Sequence, residues 1–175
     1  MATVAGGTIT EVQTVNGILE VQQALCDCIL QNTFYARTKI DVIPENALDV
    51  VTKIRSNLGK IGIVGMVMTP KMDYKGKDSR GHPVWSLEEI QVAFSEIPTT
   101  NRGRADASTA LDAALIAAES LNEFGLQLVG IEQTEEQGYV IVTVTAKATA
   151  FFCYRRVDND VPTEPNTPVN TPVTP

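Results

Sequence analysis

With 175 residues, 43% of them hydrophobic, the chain is long enough for one domain with a sizeable buried core. A formal net charge of −7 excludes a general nucleic-acid binder, whose surface needs a basic surplus, although an acidic wall can line a channel that DNA passes without sticking. No stretch approaches the roughly 18 apolar residues of a membrane span. The first ten residues show no targeting pattern, and three cysteines favour a reducing compartment over a disulfide framework.

Residues 1–15 are small and β-leaning, an arm with a short strand expected at Thr8–Val12. Asn16 suits the N-cap of a first helix. Its apolar stripe is Ile18, Val21, Leu25 and Ile29, widened by Leu19, Ala24 and Leu30, and it should end near Gln31–Asn32. Phe34–Ile43 reads as a strand with Ile40 and Val42 on one face. Pro44 then suits the first position of a second helix, with Glu45 complementing its dipole. Ala47, Val50, Val51, Ile54 and Leu58 would be its buried stripe and Gly59 its C-terminal cap. Ile61–Met68 is a continuous apolar run, which predicts a central strand covered on both faces.

Pro70–Pro83 is rich in turn residues and reads as a long hairpin with its tip near Lys75–Gly81. Its return strand runs from Val84 to Pro98, which ends it because proline cannot donate to a ladder. Trp85 and Leu87 have the opposite parity to Ile90, Val92 and Phe94, so a β-bulge is expected near Glu88–Glu89. The loop Thr99–Asp106 leads to a helix over Ser108–Phe124, capped by Asp106 or Ser108 and closed at Gly125. Leu111, Ala114, Leu115, Ala118 and Leu121 form its expected buried stripe. Leu126–Gln133 and Gln137–Ala150 make a closing hairpin, with Val140, Val142, Val144 and Ala146 on one face; Phe151, Phe152 and Tyr154 continue it.

Past Asp158 the chain is proline-rich, with Pro162, Pro165, Pro168, Pro172 and Pro175. Such a segment stays extended and orders only on a partner or a neighbouring copy. The sum is an α+β fold: a mostly antiparallel sheet of four or five strands, helices packed on one face, and a long β-hairpin. The single domain spans 16–157, between the arm 1–15 and the tail 158–175.

No catalytic set, cofactor site or metal site emerges, and a non-enzymatic role is expected. The single histidine, His82, falls in the hairpin tip without identifiable partners. Cys26-Asp27-Cys28 has the look of a metal or redox pair, but residues two apart on a helix face different ways, leaving a core side chain and a surface thiol. Gly59-Lys60-Ile61-Gly62-Ile63-Val64-Gly65 lacks the order of a phosphate loop and leads into a strand; a helix cap and crowded strand glycines explain it. Glu88-Glu89 and Glu135-Glu136 read as solvated charges.

Two stretches remain. In Thr99–Asp106, Arg102 and Arg104 can pair with carboxylates of another subunit; a solvated loop is the plainer alternative. The hairpin sets Lys71, Lys75, Lys77, Arg80 and His82 against Asp73 and Asp78, which favours an acidic partner or a phosphate backbone; a charged tip that keeps the hairpin soluble is the plainer alternative.

The order of elements, with Glu96-Ile97-Pro98-Thr99-Thr100-Asn101-Arg102 between strand and helix, resembles the tail terminator (tail completion) proteins of long-tailed bacteriophages over roughly residues 16–150. That resemblance implies a structural virion protein: a homohexameric ring at the head-proximal end of the tail tube. Such a ring stops tube polymerisation, docks the tail to the head–tail connector or head completion protein, and lets DNA pass through its lumen. Its partners would be further copies of itself, the tail tube protein and the connector, with no membrane; it would be assembled in the host cytoplasm. Asn101, Arg102 and Arg104 would then make subunit or tube contacts, Lys71, Lys75, Lys77 and Arg80 would face a neighbouring ring, and the tail from Val161 would strap adjacent subunits. Two alternatives stay open: another neck or tail ring, or a small ligand-binding or regulatory module with its pocket between the sheet and the helix Ser108–Phe124.

Overall fold

The computed structural model describes residues 13–15, 18–77, 83–102, 107–147 and 151–154. Their order is β1 (Gln13–Val15), α1 (Ile18–Leu30), α2 (Thr33–Thr38), β2 (Val42–Pro44), α3 (Val50–Lys60), β3 (Ile63–Val67), β4 (Lys71–Lys77), β5 (Pro83–Glu96), α4 (Pro98–Asn101), α5 (Ala110–Glu123), β6 (Gln127–Glu136), β7 (Tyr139–Lys147) and β8 (Phe151–Tyr154). The α+β reading holds, with eight strands in a mixed sheet among the described residues. The strand expected at Thr8–Val12 and the tail 158–175 lie outside them.

β5 is the spine. Its C-terminal half lies between β3 and β7, and its N-terminal half lies between β4 and β8. β3 and β4 therefore follow one flank of β5, and β7 and β8 follow the other. β2 extends the sheet beyond β3 and β6 extends it beyond β7. The pairs β2–β3 and β1–β8 are parallel; the remaining pairs are antiparallel. The parity slip in β5 has the expected cause. Lys71 faces Glu89 while Met72 faces Leu87, so Glu88 is the extra residue of a bulge. The bulge lets Leu87 and Ile90 both enter the core.

α1 and α5 cover one face of the sheet, over Ile90, Val92, Phe94, Val142 and Val144. α5 does so through Ala110, Ala113, Ala114, Ala117, Ala118 and Leu121, whose small side chains let the helix lie close on the valines. Leu111 and Leu115, expected inside, are 41% and 51% exposed. α3 packs on the opposite face, where Leu58 meets Ile43 and Val64, with Val50, Ile54 and Ile97 around them. Helices therefore cover both faces rather than one, which is why Ile63 to Val67 is apolar without alternation.

Three local expectations give way to side-chain and backbone chemistry. The segment after α1 is not a strand from Phe34: Asn32 accepts a hydrogen bond from the Phe34 N–H and caps α2, and Lys39, at φ 62°, closes that helix. Pro44 ends β2 instead of starting a helix. Gly59 lies within α3, and the left-handed residue is Gly62, at φ 83°. By contrast, Gln137 and Gly138 both adopt positive φ, the geometry of a tight two-residue hairpin turn between β6 and β7. A buried polar residue, Gln22, ties α1 to the sheet by donating to the Val67 carbonyl at 3.1 Å and accepting from the Asn46 N–H at 3.3 Å. Among the described residues no helix is long and apolar enough to cross a membrane.

Gly62 also has no room for a side chain: a Cβ there would sit 2.7 Å from the backbone N of Asn101. Gly62→Ala is expected to lower the unfolding free energy by about 2–3 kcal/mol, from the left-handed backbone and the displaced α4 turn. Gly59→Ala, with open space around its Cβ position, should be neutral or stabilising. Urea unfolding of both variants measures the difference.

Candidate functional site

Alternation along β5 places Ile90, Val92, Phe94 and then Glu96 on the core side. Burying a carboxylate costs several kcal/mol unless its oxygens find donors. Glu96 is 6% exposed, and both oxygens are used. One accepts from the Ala110 N–H, at the first position of α5, at 2.7 Å; the other accepts from Asn101 Nδ2 at 2.9 Å. The same Asn101 amide donates to the Ser108 carbonyl at 2.6 Å. A negative group at a helix N-terminus also meets the positive end of the helix dipole. The cap expected at Asp106 or Ser108 is instead made by Thr109, in a reciprocal box with Asp112. Pro98 starts the single turn α4, which brings Asn101 back beneath Glu96.

Two residues of the joint, Glu96 and Asn101, belong to the segment Glu96–Arg102 on which the resemblance partly rests. It corrects one of them: Asn101 is 3% exposed and its amide is committed inside the chain, so its side chain does not face a partner. Its Oδ1 has no hydrogen-bond partner. Arg102, the next residue, is exposed. Arg104 lies outside the described residues. Beside the joint is a pocket of about 330 Å³, walled by Pro98, Leu111, Gln133 and Val140 where α5 begins to cross β6 and β7.

The basic residues gather elsewhere. Lys71, Lys75 and Lys77 are exposed on β4, against the N-terminal half of β5, while Arg102 follows its C-terminal end. The two predicted groups therefore sit at opposite ends of a 14-residue strand. Lys75 is held by Asp73 at 2.7 Å and Glu88 at 3.1 Å. The hydrogen bond to Asp73 and that to Glu88 raise the Lys75 pKa; the same contact lowers that of Asp73, and Glu88 is lowered by Ser86 and then by Lys75. Lys71 and Lys77 form no ion pair among the described residues. Arg80 and His82 lie outside them.

Cys26 is fully buried, and burial, with Asp27 second, pushes its thiol up to about 12. Cys28 is half-buried, its Sγ 3.5 Å from the Ser120 carbonyl. Among the described residues no group of His, Cys, Asp and Glu could hold a metal ion. Glu96 is the joint residue to which the sequence reading gives no role. Its signal was present: an acidic residue continuing the core parity of Ile90, Val92 and Phe94, a few residues before a helix.

Glu96→Gln would turn an amide N–H toward one of the two donors now satisfied, and should cost about 2 kcal/mol. Arg102→Ala should stay within about 0.5 kcal/mol of the parent. Chemical denaturation of the two variants checks both; equal effects would mean that Glu96 is not the joint. Cys26, buried and with its thiol pushed up by that burial, should resist iodoacetamide until the chain unfolds, as peptide mapping after labelling would show. No protein-family model and no curated protein matches the chain.

Proposed function

We propose that this chain is a structural virion protein that acts by forming interfaces: a ring subunit at the head-proximal end of a bacteriophage tail tube, ending tube polymerisation and joining the tail to the head connector. The observation that supports this best is the joint at Glu96. Within the segment on which the resemblance partly rests, the buried pair Glu96 and Asn101 anchors the turn and the next residue, Arg102, projects outward. A guanidinium on an anchored turn suits the paired, in-plane recognition of a carboxylate on another subunit. The outward leucines of α5 add apolar surface of the kind that assembly covers.

The test is assembly. Light scattering after size exclusion and negative-stain images of purified tails should show rings of the full chain, in solution or at the tube end. Arg102→Ala and Arg104→Ala should leave the subunit folded by circular dichroism and weaken the ring. A chain that stays monomeric at high concentration and never sits on tails overturns the proposal.

The pocket of about 330 Å³ between α5 and β7 favours a second reading, a small ligand-binding or regulatory module. A thermal-shift screen with a strong metabolite hit, abolished by Leu111→Trp, would support it.

A further inference from the structure

Two strand edges that are unpaired among the described residues carry opposite charge. Among the described residues β6 pairs only with β7, and nearly all of its ten residues are exposed. Its outer side is therefore a row of unpaired backbone donors and acceptors. It bears Glu132, Glu135 and Glu136 and exposes Leu128 and Val129, and α5, which packs against this hairpin, exposes Leu111 and Leu115. β4 is the counterpart. Among the described residues it pairs only with β5 and exposes Met72 and Tyr74; it carries Lys71, Asp73, Lys75 and Lys77, and since Lys75 is held by Asp73 and Glu88, Lys71 and Lys77 supply the positive charge outside an ion pair. The other edge on that flank, β2, is three buried residues ending in a proline and offers no ladder.

Topology sets the two edges in a usable relation. β3 and β4 run along one flank of β5, with β7 and β6 on the other, so β4 and β6 face outward on opposite sides. β4 runs antiparallel to β5. β6 is antiparallel to β7, itself antiparallel to β5, so β6 runs antiparallel to β4. Because β4 lies against the N-terminal half of β5 and β6 lies level with its C-terminal half, a second copy in the same orientation, shifted along the strands by about half of β5, presents its β4 to β6 in the antiparallel sense. Pairing an edge with its own kind would set lysine against lysine or glutamate against glutamate, which is unfavourable. Lysines on an edge ordinarily deter strand pairing; here they leave an acidic edge as the favourable partner.

We infer that copies of this chain associate head to tail, β4 of one copy lying against the β6 edge and α5 leucines of the next. The contact is heterologous, so it propagates in one direction and closes into a ring where the rotation per copy permits. This rests on the proposed self-assembly and adds which faces meet.

Two full-length variants test it, Lys71→Glu with Lys77→Glu, and Glu132→Lys with Glu135→Lys. All four positions are exposed, so melting curves should match the parent. By sedimentation velocity each variant alone should associate roughly tenfold more weakly. An equimolar mixture should regain parental association, because each altered edge then meets its complement. Parental association should also weaken as salt rises. If the parent associates and both variants do so equally well, the faces are wrong while self-assembly stands. If both weaken and the mixture does not recover, the pairing of β4 with β6 is wrong. A parent that stays monomeric at high concentration and forms no ring on tails overturns the contact and the self-assembly together, leaving these edges to a different protein.

Discussion

The carboxylate of Glu96 is the contact on which the rest of the molecule is set. It stands at the end of the central strand, on the core side, and must be satisfied there or destabilise the fold. Satisfying it takes the first free N–H of α5 and the amide of Asn101 together. Strand, turn and helix are thereby fixed to one another by a single side chain. Gly62 is the complement from the other flank: without a side chain, it leaves the space that the Asn101 backbone fills. A second tie comes from α2, where the Tyr35 hydroxyl donates to the Ala113 carbonyl at 2.7 Å while its ring stacks on Phe94.

With its start fixed, α5 settles on the sheet through alanines. Five alanines and Leu121 line the buried side, and the facing strand offers Val142, Val144 and Ala146. Small side chains bring the helix axis close, but they bury little apolar area each. The larger side chains, Leu111 and Leu115, are left facing water beside the edge strand β6. That is a poor arrangement for an isolated subunit and a sensible one for a subunit whose edge is covered in an assembly.

Charge is sorted along the same architecture. β6, with Glu132, Glu135 and Glu136, and β4, with Lys71 and Lys77 outside any ion pair among the described residues, lie on opposite flanks and level with opposite ends of β5. The proposed virion role and the head-to-tail contact both draw on this separation. Neither depends on the thiols: Cys26 is a core side chain whose burial keeps it protonated.

The sequence by itself determined the α+β class, the bulge at Glu88 and the closing hairpin of β6 and β7, because parity, proline and glycine act locally, although β6 runs on to Glu136 and the turn is tighter than the linker expected after Gln133. It also marked the segment from Glu96 to Arg102. It did not determine which stripe of α5 is buried. Two stripes one residue apart both satisfy helical spacing when most candidates are alanine, and only contact with the valine face of the sheet selects one. Nor could it show that α3 crosses to the other face, that Asn32 turns the next segment into a helix, or that Asn101 points inward. Those outcomes hang on partners distant in the chain: Glu96 meets Ala110, Gln22 meets Val67, and Gly62 meets Asn101. The meaning of each residue was set by what tertiary packing placed opposite it.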